Sequence, residues 1–218
     1  EDPVEYMIDG INQVQVNREV GLDFSRVLRS VLRQSPDVIL VGEMRDQETA
    51  EIAVRAALTG HLVFSTLHTN DAPSSCVRLI DMGIKPFLVA SSIQAIVAQR
   101  LVRKICQHCK YEYEPKDEEI REFGFEDRAQ AEVTVLYKGK GCDRCNSAGY
   151  RGRTAIHEVF VMNPKLRQMV IRAESGSRLK RQAVRDGMRT LRMDGWQKCK
   201  RGTTTTEETL RMTQGDEG

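Results

Sequence analysis

A chain of 218 residues, 40% hydrophobic and with 16 glycines, has the composition of one large or two small globular domains. Lys and Arg number 33 against 31 Asp and Glu, a formal net charge of +2, which argues against an acidic disordered chain and a uniformly basic nucleic-acid coat. No run of 18 apolar residues and no basic, apolar leader occurs, so neither a membrane-spanning helix nor a signal peptide is expected in these residues. The opening Glu1-Asp2-Pro3, without Met, reads as a piece cut from a longer chain.

Short apolar runs around Asp9-Gly10 predict a hairpin over 5–17. Asp23 is placed to cap a helix over 24–33, whose buried face is Phe24, Val27, Leu28, Val31 and Leu32. Val38 to Val41 and Leu62 to Phe64 are short apolar runs and read as strands buried on both faces, as in a parallel sheet. Between them a helix over 47–58 would bury Ala50, Ala53, Val54, Ala57 and Leu58. Further helices are expected over 72–82 and from Pro86 to Arg103, completing the strand–helix alternation of an open α/β sheet. Residues 106–145 form a small inserted module. A strand from Arg153 to Val161, a helix started by Asn163-Pro164, and helices near 177–187 and 191–201 follow. Thr205-x-x-Glu208 predicts a capping box for a last short helix.

Charge divides the chain unevenly. Residues 1–145 carry 18 Lys/Arg and 23 Asp/Glu, residues 146–211 carry 15 and 6 (net +9), and the last seven add Asp216 and Glu217. The basic stretch fits an acidic partner, a membrane surface, a nucleic acid, or simply solvated helices.

Six cysteines occur, and four form the pairs Cys106-x-x-Cys109 and Cys142-x-x-Cys145. Each two-residue gap lets a tight turn aim both sulfurs at one metal, so four thiolates predict a closed, structural Zn²⁺ site, with 110–141 as a structured loop. Four Cys complete the tetrahedron without His108. Cys76 and Cys199 read as small buried residues.

In open α/β sheets ligands sit beyond the carboxyl ends of the strands. Gly42-Glu43-Met44-Arg45-Asp46 follows the first strand; Glu43 is either a Mg²⁺-facing carboxylate or a solvated strand end. Ser65 to Asp71 follows the second, offering hydrogen bonds to a phosphate or a water, or turn chemistry. His61 precedes that strand, at its other end.

Three segments resemble the secretion ATPases of type II secretion and type IV pilus assembly. Glu1-Asp-Pro-Val-Glu5 resembles their aspartate box, Gly42 to Asp46 their Walker B signature, and Thr59 to Asp71 their histidine box. Gly149-Tyr-Arg-Gly-Arg153 and the ending near Glu207-Glu208 fit the same family. The resemblance implies an α/β fold: a partial RecA-like P-loop NTPase core over 1–104, a tetracysteine zinc module over 105–150 and a mostly helical subdomain over 151–218. It further implies ATP with Mg²⁺ and one structural Zn²⁺. Glu1 would be the general base, supported by Asp2 and Glu5; Glu43 would hold Mg²⁺; His68 would approach the γ-phosphate, with His61 in support. Both Glu1 and Glu43 remain open as the base. Partners would be identical subunits in a ring, a homohexamer, and an inner-membrane platform protein, on the cytoplasmic side. Arg26, Arg29, Arg33 and Arg45 could serve a subunit interface or local pairs. No Gly-x-x-x-x-Gly-Lys-Ser/Thr loop occurs, and it is expected upstream of Glu1. The competing reading is a zinc-ribbon nucleic-acid-binding module using the basic C-terminal region, against which stand its few aromatics for base stacking.

Overall fold

The computed structural model describes residues 1–213; Asp216 and Glu217 lie outside the described residues. In chain order the elements are α1 (Phe24–Val31), β1 (Val38–Val41), α2 (Gln47–Leu58), β2 (Leu62–Ser65), α3 (Ala72–Asp81), α4 (Pro86–Ser92), β3 (Ala95–Ile105) and β4 (Lys110–Tyr113). There follow α5 (Asp117–Arg121), β5 (Leu136–Gly139), β6 (Tyr150–Val161), α6 (Pro164–Ile171), α7 (Gly176–Arg185), α8 (Leu191–Lys200) and α9 (Thr206–Met212). By contacts the described residues fall into two compact units, one of residues 1–69, 73–95 and 162–179, the other of 70–72, 96–161 and 180–213. No helix among the described residues is long and apolar enough to cross a membrane.

In the first unit β1 and β2 pair in parallel, Val38 opposite Leu62 through Val41 opposite Ser65. A parallel pair needs a crossover, and α2 supplies it. Asp46 caps α2 by accepting from the Thr49 N–H, and Asp23 caps α1 by accepting from the Arg26 N–H. Leu28 of α1 and Ala53 and Ala56 of α2 close over Ile39 and Val41. The strands are buried on one face, not both. Val38 and Leu40 are 57% and 61% exposed, and Leu62 and Phe64 are each 53% exposed. An all-apolar strand carries no period-2 mark of which face is covered, so the sequence could not reveal this. In α2 the exposed Leu58 gives its expected place in the core to Ala56.

The expected hairpin over 5–17 is reduced to its turn. Ile11 N–H donates to the Ile8 carbonyl across Asp9-Gly10, but no strands form. Side-chain amides take the backbone partners instead. The Ile8 N–H donates to Gln13 Oε1 at 2.7 Å, and Gln13 Nε2 donates to the Tyr6 carbonyl at 2.9 Å.

The expected helix from Pro86 to Arg103 ends at Ser92. Residues 95–105 are strand β3, joined to β6 in a two-stranded sheet. Ile96, Val97, Val102 and Ile105 are β-branched and suit a pleated surface, and Val102 and Ile105 are buried. In the second unit β3 and β6 share a small core with α8 through Val102, Ile156 and Leu191. The cysteine stretch folds as an antiparallel β4–β5 pair, Lys110 opposite Gly139 through Tyr113 opposite Leu136. Ile120, Leu136, Trp196 and Cys199 pack together beside it. The helix start at Asn163 and helices α7 and α8 lie where the sequence places them. The box at Thr205 is half formed. Thr205 accepts from the Glu208 N–H, but the Glu208 carboxylate turns to Arg103.

Candidate functional site

The first site lies in the first unit, at the carboxyl ends of β1 and β2. The loops after the two strands are tied together: Thr66 Oγ1 donates to the Gly42 carbonyl at 2.6 Å, and the Met44 N–H donates to the Thr66 carbonyl at 3.1 Å. That tie brings Glu43 to His68, with Glu43 Oε2 3.4 Å from His68 Nε2. The other Glu43 oxygen, Oε1, pairs with Arg45 at 2.5 Å. Glu43 is 9% exposed, yet Arg45 above all, with His68, holds its carboxyl below the usual glutamate range against the opposing effect of burial. His68 itself is open to solvent, its side chain 86% exposed.

Glu1 reaches the same place from another direction. Its Cα lies 3.4 Å from where a side chain at Gly42 would begin, so the aspartate-box segment rests on the start of the β1 loop. The Val16 N–H donates to the Glu1 carbonyl at 2.8 Å, and Gln13 Nε2 donates to Glu1 Oε1 at 3.0 Å. Asp2 contributes to the field at Arg45 and lies 3.9 Å from Arg18. Glu5 is exposed. His61 stands at the opposite end of β2, its Nδ1 3.0 Å from the Ala56 carbonyl at the end of α2.

The four arginines offered for an interface all have local partners. Arg29 pairs with Glu48 at 2.6 Å, Arg26 donates to the Gly21 carbonyl, Arg33 to the Arg29 carbonyl, and Arg45 holds Glu43. Arg45 as a partner of Glu43 and Gln13 as the holder of Glu1 were missed by sequence reasoning. For Arg45 the signal was present: it lies two positions after Glu43, near enough for a cation to fold back.

The second site lies in the second unit. The four sulfurs of Cys106, Cys109, Cys142 and Cys145 lie within 4.8 Å of one another and could hold a metal ion. Cys106 to Cys142 and Cys109 to Cys145 are each 3.9 Å, and Cys142 to Cys145 is 3.7 Å. A tetrahedron with Zn–S bonds of about 2.3 Å has sulfur–sulfur edges of about 3.8 Å, while a disulfide needs about 2.05 Å. The donor set therefore fits a four-thiolate metal. Burial pushes the Cys109 thiol up to about 11. At Cys145 the N–H groups of Cys142 (3.2 Å) and Gly149 (3.3 Å) outweigh burial and bring it down to about 7. Gly149 is required there: its φ is +75°, and a Cβ would meet the Gly139 carbonyl oxygen at 2.6 Å. His108 is turned to Arg144, Nε2 to Nη1 3.0 Å, and is not among the four. Cys76 and Cys199 are buried, and burial raises each thiol to about 12.

A family model described as "Type II/IV secretion system protein" matches residues 1–211. The chain is 51% identical over 213 residues to the type IV pilus assembly ATPase PilB of Thermus thermophilus, covering 98% of this chain and 24% of that protein. It is 49% identical over 214 residues to the type II secretion system ATPase E of Vibrio cholerae, covering 98% and 42%. Among solved structures, that of the pilus retraction motor PilT with bound ADP matches with a TM-score of 0.68 and 28% identity, over 97% of this chain and 50% of that one. The chain thus spans less than half the length of either curated relative.

Proposed function

Because the chain belongs to the Type II/IV secretion system protein family, we propose that it carries the carboxylate and histidine side of an ATP-hydrolysing motor for type II secretion or type IV pilus assembly. The observation that supports this most is convergence. Glu43 and His68 meet at the carboxyl ends of a parallel strand pair, where α/β sheets bind ligands, and the Glu1 backbone from a third segment rests against Gly42 beside them.

Glu43 and Asp2 offer the hard carboxylate oxygens that Mg²⁺ selects, and Glu43 is the one already partly removed from water. One Glu43 oxygen pairs with Arg45 and the other faces His68, so a metal ion there would take the place of one of these partners. Glu43 and Asp2 would hold Mg²⁺ brought in with ATP, and the ion would supply charge neutralisation for the phosphates. Glu1 is the assigned base, held in place through Gln13. His68, exposed at the rim, is the assigned sensor of the γ-phosphate, and Glu5 lies further out on the same segment. His61 supports the end of α2 and not the cluster. The four thiolates are assigned to one structural Zn²⁺. The whole protein is assigned to a homohexameric ring, docked on the cytoplasmic side of an inner-membrane platform protein and binding no nucleic acid.

The test is ATP turnover by the whole protein and its variants. Glu43→Gln and Glu1→Gln each lower kcat by about 100-fold or more, the usual scale for losing one positioned charged group in a transition-state site. Full activity in both variants overturns the assignment. The 218-residue chain alone, lacking a Gly-x-x-x-x-Gly-Lys-Ser/Thr loop, binds ATP weakly. Robust turnover by it would contradict placing the phosphate cradle elsewhere.

A further inference from the structure

The basic C-terminal stretch is not used by either site, and the second unit shows where part of its charge gathers. A groove of about 730 Å³ lies between the loop after α5 and the α7–α8 turn. Its apolar wall consists of Phe123, Phe125, Val184, Met193 and Trp196. The two phenylalanines lean on the Trp196 indole with ring centroids 4.9 and 5.2 Å away. The Trp196 N–H is buried and has no acceptor among the described residues.

The rim is cationic. Arg181, Arg185 and Arg189 line the groove, are exposed, and have side chains with no hydrogen bond or ion pair among the described residues. Lys180 and Arg192 line it too, but Lys180 is buried against Asp71 at 3.4 Å and Arg192 donates to Thr213. No Asp or Glu is among the lining residues. Three un-neutralised guanidinium groups around an aromatic-floored depression repel one another and leave apolar area in water. Both penalties are relieved by a ligand that is apolar along its middle and anionic along its edges.

We propose that this groove docks an acidic amphipathic helix of a partner protein, with its apolar face against Phe123, Phe125 and Met193, which lie over or beside the buried Trp196, and its carboxylates on Arg181, Arg185 and Arg189. The Arg181 and Arg185 pair is spaced i,i+4 on α7 and matches carboxylates one turn apart on a bound helix. Aromatic side chains in a recess ringed by arginines are the composition of interface anchors. The apolar area is concave, which a flat bilayer cannot enter. The phenylalanine rings are packed on Trp196 and not splayed to stack bases.

The experiment uses Trp196, the one tryptophan of the chain, as its reporter. The 218-residue chain, without nucleotide, is titrated with a synthetic helix of roughly 18 residues carrying Leu and Phe on one face and Glu on its flanks. Parallel titrations use the same helix with Lys for Glu, phosphatidylglycerol vesicles, and a single-stranded oligonucleotide. The acidic helix gives a saturable change in Trp196 emission that weakens with salt, and the other three probes do not. The triple variant R181E/R185E/R189E binds it about tenfold more weakly or worse, with an unchanged far-ultraviolet circular dichroism spectrum. Val184→Glu, which puts a carboxylate in the apolar wall, also weakens binding. The proposal is overturned by no saturable change, by equal binding of the Lys helix, by undiminished affinity in the triple variant, or by preferential response to vesicles or oligonucleotide. Because no nucleotide is present, either outcome leaves the ATPase reading to its own test.

Discussion

At the tetracysteine cluster every donor comes from 40 residues of chain within one unit, and each sulfur already lies at metal-binding distance from its neighbours. At the Glu43 cluster the groups come from separate loops, His68 stands almost wholly in solvent, and the two glutamate oxygens face Arg45 and His68 of the same chain. The first arrangement is spaced for a ligand of fixed size. The second is held in waiting by exchangeable ion pairs, and its strands leave Val38, Leu40, Leu62 and Phe64 uncovered on one face. A structural site gains from being complete in itself, whereas a site that binds and releases ligand needs groups that change partners. Metal removal and mutation should therefore act on the two regions in opposite ways.

The largest effect is expected at the cysteines. Removing the proposed metal with a chelator should leave four sulfurs crowded within 4.8 Å with nothing to bind. The free energy of such sites is folding free energy, so the β4–β5 module should unfold on chelation. Cys106→Ser, at a fully buried position, should do the same and lower Tm by about 10 °C or more. Metal analysis of the parent should find about one zinc per chain. A folded, metal-free parent with unchanged Tm would refute the closed-site side of the comparison.

A smaller effect belongs to Glu208, whose role is entirely structural. Its side chain is 1% exposed and accepts from Arg103 at its backbone N–H (3.1 Å), Nε (3.0 Å) and Nη2 (2.7 Å), and from Arg211. Burial would raise its pKa, but Arg103 first and Arg211 after it outweigh burial and bring the carboxyl down to about 2. A carboxyl lowered on folding stabilises fully above its ordinary range and loses that contribution as pH falls from about 5 toward 2. Acid unfolding of the parent should therefore contain a component that Glu208→Gln removes. Because both arginines are about half exposed, Glu208→Ala should cost about 2–3 kcal/mol at neutral pH, the lower end for a broken buried pair. Denaturant midpoints across pH 2–7 provide the measurement. Parallel acid limbs for parent and Glu208→Gln would show that Glu208 carries none of the acid sensitivity.

What the sequence disclosed depends on the range of the interaction behind each feature. The caps at Asp23 and Asn163 and the paired cysteines rest on contacts a few residues long or on side-chain chemistry alone, and they were legible. Strand β3 was not. Ile93, Ile96, Val97 and Leu101 follow a helical period, and the partner that decides for a strand, β6, begins 45 residues after β3 ends. The same limit applies to Glu208, which reads as a capping-box residue until Arg103, 105 positions away, claims its carboxylate. The one-sided burial of β1 and β2 was illegible for another reason: every residue of Val38 to Val41 is apolar, so nothing marks the face that stays bare. At the first site, Glu1, Glu43 and His68 could be named from local segments, but the meeting of Glu43 and His68 depends on the tie between Thr66 and Gly42.

The smallest structural effect should come from Arg45, and it separates the two kinds of site most cleanly. Arg45 is more than half exposed, and its pairing with Glu43 is the chief cause of the lowered Glu43 carboxyl. Exposed partners of this kind add little to folding, so Arg45→Ala should leave Tm within about 2 °C of the parent. The consequence should appear in titration instead. With Arg45 gone, only His68 faces Glu43, and the Glu43 carboxyl should move up toward the ordinary glutamate range, followed by carbon-detected NMR of the side chain. At a pH between the two values, the variant's Glu43 is protonated where the parent's is ionised. If Arg45 merely occupies Glu43 until a nucleotide-bound cation arrives, the variant should also bind Mg²⁺-nucleotide in the whole protein at least as tightly as the parent above that pH. A fall in Tm comparable to that of Cys106→Ser would instead place Arg45 among the structural pairs, and the contrast between a closed site and a waiting one would no longer hold.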